Sequence, residues 1–173
     1  YEPSTKYFSG IHTVGNAGIP LHSFCDLTIK VENDTLQDKS KYVIVELSNV
    51  GTILRASKAT YNNGYLTCRM RNLGRYAVWK DTEKPYIGVR QTKNIRTTNT
   101  LVLTMGDGLS GIKSYRGEID GKWVLFEYDA KTSLLYCFLP NEGITKDGKQ
   151  RELTFTVTDM CGNVATYRKT IFY

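Results

Sequence analysis

The stretch Cys25-Asp26-Leu27-Thr28-Ile29-Lys30-Val31-Glu32 alternates apolar and polar side chains without a break. A period of two sends successive side chains to opposite faces of an extended chain, so such a stretch holds one face in a core and the other in water. The same period runs through residues 65–70, 86–90 and 153–158, and further β-rich runs occupy 42–47, 52–56, 76–79, 100–105, 112–119, 123–128, 134–139 and 165–172. Nowhere do ten or more residues keep the i, i+3, i+4 spacing of a packed helix; Leu36-Gln37-Asp38-Lys39 supplies one turn at most. The expected class is all-β, with antiparallel strands half-buried in sheets.

Turn residues fall where such strands have to reverse. Asn62-Asn63-Gly64 and Asp120-Gly121 provide the positive-φ positions of tight hairpins, and Asp147-Gly148 and Asp159-Met160-Cys161-Gly162-Asn163 serve later reversals. Near the middle, Asp81-Thr82-Glu83-Lys84-Pro85 is polar and ends in a proline that favours an extended predecessor, which suits a short linker. The chain has 173 residues, enough for two small domains. The expected division is 1–81 with six strands and 82–173 with seven, both antiparallel β-sandwiches.

With 12 Tyr, 6 Phe and 2 Trp, the composition excludes intrinsic disorder. No apolar run is long enough for a transmembrane helix, and Tyr1-Glu2-Pro3-Ser4 does not read as a signal peptide, so any export signal is expected outside this sequence. The net charge is +6, spread evenly on both sides of Asp81. A nucleic-acid binder gathers its basic residues into a stripe, so no nucleic-acid partner is expected. The densest cluster, Arg69-Met70-Arg71-Asn72-Leu73-Gly74-Arg75, alternates as a solvated strand face does; a site for a polyanion such as a cell-wall polymer is its other reading.

Asp107-Gly108-Leu109-Ser110-Gly111-Ile112, followed by Tyr115-Arg116-Gly117-Glu118-Ile119-Asp120-Gly121-Lys122-Trp123-Val124-Leu125-Phe126-Glu127-Tyr128-Asp129, resembles the C-terminal immunoglobulin-like domain of certain secreted bacterial proteins. Many of these carry a lysostaphin-type murein endopeptidase domain upstream. The ending Leu153-Thr154-Phe155-Thr156-Val157-Thr158-Asp159 with Gly162-Asn163 is similar to the last hairpin of such domains, and Asp81-Thr82 with Pro85 to their entry. Ile19-Pro20-Leu21-His22, Asp38-Lys39, Asn63-Gly64-Tyr65 and Gly74-Arg75-Tyr76-Ala77-Val78 look like the β-rich domain that precedes it. The resemblance implies an immunoglobulin-like second domain. It also implies a non-catalytic accessory region of an exported, periplasmic or cell-surface protein, lipid-anchored through a further N-terminal segment in one version of that reading. The expected partner is an upstream zinc peptidase domain of the same polypeptide, with cell-wall glycan as a further candidate. The alternative is an independent adhesion or glycan-binding module.

The family's zinc ligands, in His-x-x-x-Asp and His-x-His motifs, have no counterpart here. His12 and His22 stand ten residues apart in neither arrangement, whereas an open catalytic zinc site takes three protein ligands. With both histidines before residue 25, a triad for any nucleophile in the second domain would have to cross the domain boundary. The expectation is therefore no catalytic residue, no metal ligand and no cofactor. Asp107, Asp159 and Asn163 read as turn-forming residues, with a calcium loop as the other reading, although each loop has one aspartate. Cys25 and Cys68 both align with inward positions and form the one bridge the pattern permits; Cys137 and Cys161 are expected to be free, and a buried free thiol is the expected state in general. Trp123, Phe126, Tyr128 and Tyr136 are open to two readings. Flat rings stack on sugar C–H faces, but the run 123–128 is apolar on both faces, as a strand covered on both sides would be.

Overall fold

The computed structural model describes residues 1–17, 19–92 and 94–173. Strands take up 56% of the chain and helix 6%, far below the helix content that would contradict an all-β class. Contacts divide the chain into Tyr1–Thr82 and Glu83–Tyr173.

The first unit contains β1 (His12–Val14), β2 (Pro20–Lys30), β3 (Tyr42–Leu47), β4 (Ile53–Lys58), β5 (Thr60–Asn62), β6 (Tyr65–Asn72) and β7 (Gly74–Lys80). They form an antiparallel four-stranded sheet in the order β1-β7-β3-β4 and a three-stranded sheet in the order β2-β6-β5. Alternation explains the core: Leu66, Cys68 and Met70 of β6 and Ile29 of β2 pack with Tyr42, Ile44, Tyr76 and Val78 from the other sheet. Val43, Val45 and Ala77, which face the opposite way, are also buried, so β3 reads as an unbroken apolar run. The expected turn near 36–39 is a short 3-10 helix over Lys39–Lys41, capped by Asp38, whose carboxylate accepts the Ser40 N–H.

The second unit contains β8 (Tyr86–Gln91), a single helical turn α1 (Ile95–Thr98), β9 (Thr100–Gly106), β10 (Ile112–Ile119), β11 (Lys122–Val124), β12 (Glu127–Asp129), β13 (Leu134–Phe138), β14 (Gln150–Asp159) and β15 (Val164–Phe172). Two antiparallel four-stranded sheets, β11-β10-β14-β15 and β12-β13-β9-β8, enclose one core. Leu101, Leu103, Leu135, Phe126, Phe155 and Val157 are among its most buried members. The expected strand counts of six and seven become seven and eight. In the first unit five strands follow the runs read from the sequence and the short β1 and β5 are additional; in the second the run 123–128 divides into β11 and β12.

Two hairpins have the expected turns. Asn63 and Gly64 sit at φ 47° and 83°, and Asp120 and Gly121 at φ 52° and 75°. Positive φ at both central residues matches the turn's twist to that of the strands, which is why Asn-Gly and Asp-Gly occupy these places. The polar residues Asp81 to Pro85 form no strand, and β7 and β8 on either side of them belong to different sheets.

Candidate functional site

The two histidines stay apart, whereas carboxylate oxygens of Asp107 and Asp159 lie within 4.8 Å of each other. His12 pairs with Tyr76 in the first sheet, whereas His22 is exposed on β2 of the second, so the two imidazoles sit on different sheets. His12 packs edge-on against the Tyr1 ring at 5.1 Å, and its Nε2 is buried without a hydrogen-bond partner. Burial holds its pKa below the ordinary imidazole value, against the opposing pull of Glu32.

The basic cluster also divides. Arg69 and Arg71 lie over the Phe24 ring, 4.9 and 5.7 Å from its centroid, on the outer face of β6. Arg75 belongs to β7 in the other sheet and forms an ion pair of 2.6 Å with Glu2. The three arginines therefore do not make one stripe.

The aspartates of the later turns are engaged by the backbone. Asp107 Oδ2 accepts the N–H groups of Leu109 and Gly111 at 3.0 and 2.8 Å. Asp159, fully buried, accepts Cys161 N–H and Asn163 N–H at Oδ1, both at 2.8 Å, and the Asn163 amide at Oδ2 at 2.7 Å. Asp129 accepts the Thr132 hydroxyl and Lys131 N–H, and these bonds, the first above all, hold its carboxyl below the ordinary range. Asp147 is lowered likewise, first by Lys149 N–H and then by the Lys149 side chain.

No disulfide joins any of the four cysteines. Cys25 corrects an expectation. Its strand parity is inward, but β2 is irregular between Pro20 and Cys25, and the side chain is exposed. Register sets Leu27 opposite Cys68 and Met70 opposite Cys25. Burial raises the thiol of Cys68 to about 11 and that of Cys137 to about 12, which keeps both protonated and poorly nucleophilic.

The aromatic run departs most from the covered-strand reading. Phe126 is buried, but Trp123, Leu125 and Tyr128 are 55%, 43% and 46% exposed. The chain leaves one sheet after Val124 and enters the other at Glu127, with Phe126 packed into the core edge-on to Phe155 at 4.9 Å.

A shallow groove follows from that crossing. Glu127 pairs with Tyr136 across β12 and β13, so both point away from buried Leu135 and Cys137. Phe138, two residues on, shares this outer face and is 44% exposed. A 3-10 turn, Leu139–Glu142, begun by Pro140, brings Asn141 and Glu142 to the end of the same groove, with Leu125 opposite. Glu142 Oε2 accepts the Leu125 N–H at 2.9 Å, which fixes the carboxylate in place. On its other side, Glu142 lines a cavity of about 280 Å³ shared with Lys122, Thr145 and Arg151. The guanidinium of Arg151 reaches Asp120, Asp147 and the Thr145 carbonyl, while its buried Nε has no hydrogen-bond partner. Two rings, two carboxylates and an amide therefore share one face. Alternation already separates Tyr136 and Phe138 from Leu135 and Cys137, but no sequence signal brings Glu142 beside Leu125.

The model of the Zu5-like domain family matches residues 1–81, which is the first unit without its last residue. No curated protein matches the chain.

Proposed function

We propose that this chain is a non-catalytic accessory region of an exported cell-envelope protein, following a zinc murein endopeptidase domain that it positions near the polymer. One observation supports the reading above the others: the acidic side chains of the second unit's turns are engaged in holding those turns. Asp107, Asp129, Asp147 and Asp159 each accept backbone N–H groups, which leaves them fixed as structural acceptors. The resemblance of the second half to immunoglobulin-like domains agrees with this role. The +6 charge, divided between faces, supports a weak hold on anionic polymer that weakens as salt screens it.

The experiment is to assay the isolated chain on purified cell-wall material with and without zinc, and to compare the full-length protein with a version lacking residues 1–173. The expected outcome is no turnover by the isolated chain, and a loss of wall retention or of catalytic-domain stability in the truncated protein. Robust turnover by the isolated chain would overturn the reading. An independent glycan-binding module is the second reading, and the exposed groove beside Glu142 favours it.

A further inference from the structure

We propose that the outer face of β12 and β13, closed at one end by the turn that carries Glu142, is a saccharide-binding groove. It would take a pyranose chain whose C–H faces lie on Tyr136 and Phe138. The inference rests on the glycan-binding reading and gives it a location.

The polar groups along the groove are unengaged. Among the described residues, Glu127, the Tyr136 hydroxyl, the Asn141 amide and Oε1 of Glu142 have no hydrogen-bond or ion-pair partner. A carboxylate accepts only, whereas an amide and a phenol both donate and accept. A pyranose matches this set, because its rim of hydroxyls does both while its ring face is apolar. Phe138 supplies the flat apolar surface, and Tyr136 combines a ring with a polar tip. A bare cation would take the two carboxylates and the amide oxygen of Asn141 but would make no use of the apolar ring faces of Tyr136 and Phe138 that lie beside them. The scaffold is rigid where it needs to be. β13 is paired on both sides, with β12 and β9, and Glu142 is tied to the backbone of Leu125.

The test uses the full chain and two soluble probes, the β-1,4-linked tetramers of N-acetylglucosamine and of glucose, followed by NMR chemical-shift titration. The expected result is saturable shifts at Glu127, Tyr136, Phe138 and Asn141 with at least one tetramer. Phe138→Ala should weaken that affinity at least ~10-fold, about 1.4 kcal/mol. Glu127→Gln, a milder change on the same face, should weaken it without altering the fold. No saturable shift with either tetramer, an affinity unchanged by Phe138→Ala, or binding of arginine amide in place of both tetramers would overturn the groove. Retention on insoluble chitin and cellulose separates the two levels of the proposal. If the unaltered chain and Phe138→Ala are retained equally, glycan binding stands and this site falls; if neither is retained, both fall.

Discussion

His12 shows how one side chain can make a unit sensitive to pH. Its Nε2 is buried and has no acceptor within reach, so a second proton would create a donor with nothing to bond. Burial accordingly lowers its folded-state pKa below the unfolded value of about 6.5, although the Glu32 carboxylate pulls the other way. Above that value both states are neutral and the stability contribution is present in full. As pH falls through about 6.5, the unfolded chain takes up a proton that the folded chain resists, and the contribution is lost. The prediction is that the urea midpoint of the first unit falls between pH 7.5 and 5.5, and that His12→Gln flattens this slope. Parallel slopes for the two proteins would remove His12 as the cause.

The β14–β15 hairpin carries the corresponding argument for an element. Its two strands pair from Gln150↔Phe172 to Thr158↔Val164, and their reversal depends on the buried Asp159. Asp159→Ala removes the acceptor for three N–H donors around the turn, at Cys161, Asn163 and the Asn163 side chain. Buried donors left without partners cost about 1–3 kcal/mol each before relaxation, so a loss of about 3 kcal/mol is expected from chemical denaturation. Asp159→Asn, which keeps a carbonyl oxygen, should lose less; an Ala variant as stable as the parent would show that the turn is held by other means. This turn was legible because its residue types state their geometry. The break between β11 and β12 was not, since Val124 and Phe126 keep the same inward parity while the pairing partner changes from β10 to β13. Parity alone therefore read one strand where there are two. It also placed Cys25 inward, but Cys25 is the first residue of the regular β2–β6 pairing, next to the irregular stretch, and its side chain is exposed. The groove was half legible: Tyr136 and Phe138 follow from alternation, but Glu142 meets Leu125 across seventeen positions through a chain crossing that no local pattern encodes.

At the scale of the whole molecule, every registered strand pair among the described residues falls within Tyr1–Thr82 or within Glu83–Tyr173. Each unit also has a hydrophobic cluster drawn from its own residues, one between Ile29 and Val78 and the other between Ile95 and Tyr173. Both contain the two layers that a sandwich needs to cover its inner faces. Units of this size bury roughly 60–65% of the surface their unfolded chains expose, which leaves a small positive stability without disulfides. The prediction is that residues 1–82 and 83–173, produced separately, each give a dispersed amide spectrum and a single cooperative urea transition. The second fragment is the more demanding case, because it must form eight strands with Phe126 and Phe155 in contact at its centre. If that fragment stays unfolded while the full chain folds, its core depends on residues before Glu83, and the two units are one folding body.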